Sequence, residues 1–401
     1  MSYSHEERHM IEALRSGIPS RAIGRHFSEA RAALLAEIVQ RLDQVSSEGK
    51  SDGMVITGKY GEGKTHLLNT VYTLAHERNM VVSTVSLSKE TPFDKLHFVY
   101  PKLVAETYLP GKAQPGFISE LDNRLTENAP LTTELLHYAA RTLETDKLYY
   151  LIKCFVKTED LEERFQFQTD LEGDFISNVL IKQVYRRIYE EKVVFNQNFA
   201  KTRHSFDYYT FLSHLFRRLG YSGWVILFDE SELIGRLGKK ARLKAYQNMA
   251  RFLFPPKSLE GVFTLFAFSA SYSEDVIEAK GEYENLTEVF PEDTETKAVL
   301  DAIIEAEQLA PLTREEIDGI LRKIIAFHAK AYDWKPKVDP TQLLQKVDKS
   351  GYLLRSKIRS IIEYLDQLYL YGDETESTIG DLDEGSYTEV PSYEEIFSEE
   401  G

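Results

Sequence analysis

The chain has 401 residues, a net charge of −16 from 64 acidic and 48 basic side chains, and a hydrophobic fraction of 42%. This composition is typical of a globular protein with a sizeable core, and no apolar run approaches the ~20 residues that a membrane-spanning helix needs. The single cysteine, Cys154, excludes an internal disulfide, and the first residues lack the pattern of a signal peptide. We therefore expect a cytoplasmic protein without a membrane segment.

The first predicted elements are helices. Apolar residues recur at helical spacing before a break at 17–20 and again over 33–42. A loop with two glycines at 49–53 then leads into an apolar strand. We predict that residues 1–52 form an N-terminal helical segment.

A phosphate-binding loop opens the α/β core that we predict for residues 53–310. The apolar run 54–57 precedes Gly58-Lys59-Tyr60-Gly61-Glu62-Gly63-Lys64-Thr65, a match to the Walker A pattern, and a helical pattern follows. The glycines let successive N–H groups form a cradle for a polyphosphate at the start of the helix. We expect Lys64 to reach the phosphates of ATP and Thr65 to bind Mg²⁺. The residues expected to surround the nucleotide are Gly58, Lys59, Tyr60, Gly61, Glu62, Gly63, Lys64, Thr65 and His66.

A large helical insertion is predicted within the core, at about 92–220. It follows the β-rich run 81–87, which should lie parallel to the first strand because a helix connects the two. The end of the insertion is locally basic with interleaved aromatic residues. Either a solvated helix face or a nucleic-acid or partner surface explains this pattern. The residues are Lys182, Arg186, Arg187, Lys192, Lys201 and Arg203, with Tyr185, Tyr189 and Phe195.

The run 224–228 ends in Asp229-Glu230, which is typical of a Walker B strand. Asp229 is expected to hold Mg²⁺ beside Thr65, and Glu230 to orient the water that attacks the γ-phosphate. Because a kinase would not specifically require this second carboxylate, the pair favours hydrolysis.

The next apolar strand, 262–268, is followed by Ser269, whose hydroxyl is expected to contact the γ-phosphate or the attacking water. Ser271 is an alternative, and a plain loop serine is a third interpretation. The continuously apolar character of this strand and of 224–228 predicts a parallel sheet that helices cover on both faces.

Residues 311–371 are predicted to form a helical lid. A capping box at 313–316 begins one helix, and a second helix carries Arg355 and Arg359 on one face. We expect Arg355 to contact the γ-phosphate, although a surface arginine would fit the same pattern. An arginine finger from a neighbouring subunit is also expected, and sequence leaves three candidates open: Arg236, Arg242 and Arg251.

The last segment, 372–401, contains eleven acidic residues and no Lys or Arg, so it holds most of the charge imbalance. Its composition predicts a disordered acidic tail that solubilises the protein, captures a partner or screens a nucleic-acid site. Because the remaining chain is only mildly acidic, any DNA-binding surface must be local.

In this order, the motifs resemble those of an AAA+ ATPase with a parallel sheet and a helical lid. The segments 11–21, 58–68, 220–230 and 309–313 together resemble the BrxC/BrxD family of ATP-binding proteins from BREX bacteriophage-defence systems. The resemblance implies antiviral defence in prokaryotes, ATP-dependent assembly and a helicase partner. It also implies that Lys64 and Thr65 bind the nucleotide, and that Asp229 and Glu230 are the hydrolytic pair.

From these features we predict an oligomeric ATPase whose hydrolysis of ATP drives assembly or remodelling of a defence complex on DNA. One alternative is a nucleotide-gated adaptor that recruits partners with little hydrolysis. A second is a metabolite or nucleotide kinase, against which Glu230 and the lack of a recognisable acceptor site argue.

Overall fold

The computed structural model describes residues 3–16, 31–347 and 354–372, and the chain divides into two compact units. The larger unit contains residues 31–60 and 64–310, and the smaller one contains the other described residues. The predicted acidic tail lies outside the described residues except for Gly372. The predicted break at 17–20 lies outside them as well.

Six strands form the sheet of the larger unit. They are β1 (Asp52–Gly58), β2 (Met80–Ser86), β3 (Thr107–Tyr108), β4 (Gly223–Asp229), β5 (Val262–Ser269) and β6 (Glu307–Gln308). Their order across the sheet is β3-β2-β4-β5-β1-β6, and all neighbours run parallel except β2 and β3. The predicted α/β fold with a parallel sheet is confirmed.

Helices surround this sheet, and among the described helices none combines the length and the apolar character that a bilayer crossing requires. The helices of the larger unit are α2 (Ala32–Glu48), α3 (Lys64–Glu77), α4 (Leu96–Ala105), α5 (Ile118–Arg124), α6 (Pro130–Thr142), α7 (Lys147–Lys157), α8 (Leu161–Thr169), α9 (Asn178–Tyr189), α10 (Lys201–His204), α11 (Phe206–Arg218), α12 (Lys239–Leu253), α13 (Glu282–Val289) and α14 (Thr294–Ile304).

Alternate strand residues enter two hydrophobic cores, one on each face of the sheet, because successive side chains of a strand point to opposite sides. Ile56 and Val82 pack with the buried side chains of α2 and α3. Val55 and Val81 belong to the other core, which includes the helices between β2 and β4. These helices, α4–α11, occupy the segment predicted as a helical insertion.

A fully buried ion pair lies among these helices. Lys147 donates from Nζ to Asp170 Oδ2 at 2.7 Å, and both side chains are 0% exposed. The Tyr208 hydroxyl also donates to Asp170, and the Lys147 ammonium lies 4.4 Å from the centroid of the Phe199 ring. Burial lowers the pKa of Lys147 and raises the pKa of Asp170, and the attraction between the two charges opposes both shifts.

The described part of the smaller unit contains helices and the loops that connect them. Its helices are α1 (Tyr3–Ser16), α15 (Arg314–Tyr332), α16 (Pro340–Val347) and α17 (Leu354–Tyr371). The predicted capping box is confirmed: Thr313 Oγ1 accepts from the Glu316 N–H at 3.2 Å, and the Glu316 carboxylate accepts from the Thr313 N–H at 2.8 Å. Ile11 of α1 shares a hydrophobic core with Leu321 of α15 and Leu365 of α17. The segment predicted as 1–52 is therefore divided, because α1 packs with α15 and α17 whereas α2 packs on the sheet.

Arg15 joins α1 to the other helices of this unit. Its guanidinium donates to both carboxylate oxygens of Asp366 at 2.9 and 2.8 Å and to the Tyr332 hydroxyl at 3.0 Å. Asp366 also pairs with His328 Nε2 at 3.0 Å, and the Trp334 indole donates to His328 Nδ1 at 2.9 Å. Arg15, which lies in one of the segments that carry the family resemblance, is therefore part of a polar network inside the smaller unit.

Candidate nucleotide site

The predicted phosphate-binding loop connects β1, which ends at Gly58, to α3, which begins at Lys64. Gly61 and Gly63 have φ values of 77° and 92°, a left-handed conformation that residues with a Cβ rarely adopt. At Gly58, a Cβ would lie 3.2 Å from the side chain of Leu309. Backbone conformation therefore favours glycine at 61 and 63, and a Cβ at position 58 would require the Leu309 side chain to shift by a few tenths of an ångström.

The side chain of Lys64 lies over this loop and is buried, with 8% exposure. Its ammonium donates to the carbonyl oxygen of Gly58 at 2.9 Å. A carbonyl is a neutral acceptor, and a phosphate oxygen forms a stronger, charge-assisted hydrogen bond with an ammonium. The position of Lys64 thus suits the role of a phosphate ligand.

Thr65 and Asp229 meet across the site, although they are 164 positions apart in sequence. The Thr65 hydroxyl donates to Asp229 Oδ2 at 2.7 Å. A hydroxyl and a carboxylate are hard oxygen ligands of the kind that Mg²⁺ prefers, and Mg²⁺ in nucleotide sites usually takes only one or two carboxylates. These two side chains could therefore hold the ion that the motif implies.

The sheet explains why these residues converge. The parallel strands β1, β4 and β5 end at the same edge, and β5 lies between the other two. Ser269 is the register partner of Gly58, and the N–H of Ala270 donates to the Gly58 carbonyl at 3.1 Å. Ser269 is thus placed beside the start of the phosphate loop, and Ser271 is exposed two residues further on.

Glu230 follows Asp229 in a left-handed conformation, with φ 54° and ψ 35°. Its N–H donates to Asp229 Oδ1 at 2.9 Å. Such a conformation is uncommon for a residue with a side chain, and it occurs at functional sites where the surrounding fold enforces it. Burial and the neighbouring charge of Asp229 raise the pKa of Glu230, while Lys64 and Arg236 act in the opposite direction. A carboxylate with a raised pKa is a better proton acceptor.

A third carboxylate, Glu232, was missed by the sequence analysis. It lies on the 3₁₀ turn Ser231–Arg236, two residues beyond Glu230. Burial raises its pKa, a hydrogen bond from its own backbone N–H and the charge of Lys64 lower it, and the charges of Glu230 and Asp229 raise it further. Its Oε2 atom is buried without a hydrogen-bond partner among the described residues. The sequence signal for Glu232 is the pattern Asp-Glu-x-Glu, of which only the first two residues, Asp229 and Glu230, were assigned roles.

The three finger candidates differ in their surroundings. Arg242 is buried and donates from Nε to Glu282 at 2.8 Å and from a terminal nitrogen to the Leu237 carbonyl at 2.7 Å. Its guanidinium is thus occupied within its own subunit. Arg251 lies over the ring of Phe206 at 5.0 Å, and Arg236 is exposed.

The remaining predicted site residues are Arg355, Lys59, Tyr60 and His66. Arg355 belongs to the first turn of α17 in the smaller unit, and its side chain is outside the part of the chain that the structure describes. Its contact with a phosphate stays a prediction. Lys59 and Tyr60 are exposed in the loop, and His66 is half-buried in the first turn of α3.

Comparison of the sequence with known protein families gives one match. The model of the family described as "BREX system ATP-binding protein BrxC/D" matches residues 3–128 and 198–379. The unmatched stretch, 129–197, falls within the helical insertion. No curated protein matches the chain. The matched residues include the phosphate loop, Asp229, Glu230 and all described residues of the smaller unit. The match covers most of the chain, and the chain therefore belongs to the BrxC/BrxD family of ATP-binding proteins of BREX phage-defence systems.

Proposed function

We propose that this protein is an ATPase whose hydrolysis of ATP drives assembly or remodelling of a BREX defence complex. The observation that carries the proposal is the hydrogen bond of 2.7 Å between Thr65 of the phosphate loop and Asp229. It joins the phosphate-binding loop to a carboxylate that is followed directly by a candidate base, Glu230. A protein that only binds ATP does not require that base.

Each residue of the site has a distinct part in the proposed reaction. Lys64 and the N–H groups of the loop bind the β- and γ-phosphates, and Thr65 and Asp229 would hold Mg²⁺, which neutralises phosphate charge when bound. Glu230 orients the attacking water and accepts its proton as the bond between the γ-phosphorus and the β–γ bridging oxygen breaks, which gives ADP and phosphate. Ser269 is the candidate sensor of the γ-phosphate at the end of β5.

We further propose that the protein acts as an oligomer, with an arginine of one subunit completing the site of the next. Arg355 of the lid is the candidate for contact with the γ-phosphate within one chain. Arg236 and Arg251 remain candidates for the finger, whereas the engagement of Arg242 with Glu282 argues against that residue. Changes in lid and subunit contacts after hydrolysis would be the mechanical output.

A helicase encoded with the same defence system, and DNA itself, are the proposed partners. The family membership supports a role in phage defence. The basic and aromatic segment of the insertion offers a local surface for nucleic acid, since Lys182 and Arg186 are exposed there. A nucleotide-gated adaptor with little hydrolysis is the alternative function.

Glu230→Gln separates the two functions, because it keeps the shape of the side chain and removes the base. For an ATPase we expect turnover to fall ~10²–10⁴-fold while ATP binding persists, and we expect phage defence in cells to be lost. Exposed Glu274→Gln, on the turn after β5, is the matched control and should behave as the wild type. If Glu230→Gln protects cells as well as the wild type does, the adaptor function is correct.

A further inference from the structure

The carboxylate of Glu232 has no role in the reaction described above, although Glu232 lies on the turn that follows β4 and Asp229. One of its oxygen atoms is buried without a hydrogen-bond partner among the described residues. Leaving a buried acceptor unpaired is unfavourable, and more so for a charged group. Most such groups in folded proteins find a partner in protein, water or an ion. An unpaired oxygen at this position therefore points to a ligand that supplies the missing donor.

The surroundings of Glu232 restrict the kind of donor. Glu232 lies three residues beyond Asp229, on the turn that leaves the carboxyl end of β4, where Thr65 and Asp229 meet. An ionised carboxylate only accepts hydrogen bonds, so in that form neither Asp229 nor Glu230 can donate to it. The ammonium of Lys64, which is near enough to influence Glu232 electrostatically, donates to the Gly58 carbonyl instead. A donor that three neighbouring carboxylates attract is a cation or water bound to one.

We propose that Glu232 is an outer ligand of the Mg²⁺–ATP complex, which accepts a hydrogen bond from a water of the hydrated cation. Mg²⁺ loses its water reluctantly and usually keeps several molecules in nucleotide sites, so donors of this kind are present whenever the complex is bound. Glu232 is then a positioning residue: it orients the hydration shell of the ion that Thr65 and Asp229 hold. This inference rests on the proposed function, because it assumes that the site binds ATP with Mg²⁺.

The test is a titration of Mg²⁺ against the full-length protein with a fluorescent ATP analogue, for the wild type and for Glu232→Gln. Loss of the charge-assisted bond should raise the Mg²⁺ concentration for half-maximal binding about tenfold. Affinity for the analogue in the presence of a chelator should stay equal or increase, because a negative charge near the phosphates is removed. Glu274→Gln should titrate as the wild type.

Equal Mg²⁺ dependence of Glu232→Gln and the wild type would overturn the inference, and so would an equal loss of affinity with and without Mg²⁺, which indicates a structural role. If Glu232→Gln does not fold, Glu232→Asp supplies the test, since its shorter carboxylate should also raise the half-maximal Mg²⁺ concentration. Failure of the wild type to bind the analogue with Mg²⁺ would refute the proposed function itself, and the inference with it. Normal binding by the wild type, with Glu232→Gln unchanged, would refute only the inference.

Discussion

The buried ion pair between Lys147 and Asp170 allows a quantitative test of how the helical insertion is stabilised. Lys147→Met keeps most of the side-chain volume and removes the ammonium. The Asp170 carboxylate would then stay buried with the Tyr208 hydroxyl and the backbone of Ile176 as its remaining hydrogen-bond donors. Removing one partner of a buried pair costs about 3–5 kcal/mol, because the other charge remains without compensation. We expect the free energy of unfolding to fall by this amount.

Urea unfolding followed by circular dichroism measures the loss. The matched control is Lys50→Met, since Lys50 pairs with Glu48 at 2.9 Å but the two side chains are 83% and 51% exposed. An exposed pair contributes about 0–1 kcal/mol, so this variant should unfold nearly as the wild type does. The double variant Lys147→Met with Asp170→Leu should recover most of the stability. A loss below about 1 kcal/mol for Lys147→Met would refute the reasoning.

Three further predictions follow from particular side chains. Burial would raise the pKa of Asp366, but hydrogen bonds from His328 and Arg15 outweigh it and hold that pKa below its usual range. Stability from such a group is present above its unfolded pKa of about 4 and is lost as pH falls through the folded value. Melting temperatures below about pH 4 should therefore fall less steeply with pH for Asp366→Asn than for the wild type. Parallel slopes for the two proteins would contradict this prediction. Burial raises the pKa of the Cys154 thiol to about 12, so iodoacetamide at about pH 8 should modify this thiol only in urea. Rapid modification of the native protein, measured by mass spectrometry, would disprove this prediction. If Arg236 or Arg251 is the arginine finger, its alanine variant should lose ~10³-fold or more in turnover. Mixing this variant with Lys64→Ala subunits should restore activity, because each subunit then supplies the part that its neighbour lacks. A mixture that stays inactive excludes action of the arginine between subunits.

The sequence predicted those parts of the protein that depend on local patterns. The phosphate loop, β4 and β5 were recognised because a motif or a continuous apolar run marks each of them. The meeting of Thr65 and Asp229 was also expected, since the parallel strands of one sheet end at a common edge. Strands β3 and β6 were not predicted, because two residues are too short for any periodicity.

The remaining contacts depend on residues that are distant in sequence. Arg15 and Asp366 are 351 positions apart, and neither helix pattern reveals its partner. Arg242 has the spacing of an exposed helical arginine, and only the fold shows that Glu282 neutralises it. Glu232 was overlooked for a different reason: the orientation of a short 3₁₀ turn determines its burial, and such a turn has no clear sequence signal.

Calorimetric titration of ATP with Mg²⁺ into the wild type and Thr65→Val tests the central claim most directly. Valine keeps the branched shape of threonine but removes the hydroxyl that lies 2.7 Å from Asp229. We expect the wild type to bind ATP more tightly with Mg²⁺ than without it, and Thr65→Val to lose most of this difference while it still binds ATP through Lys64. A wild type that gives no heat of binding, or a Thr65→Val variant with the full effect of Mg²⁺, would contradict the site described here.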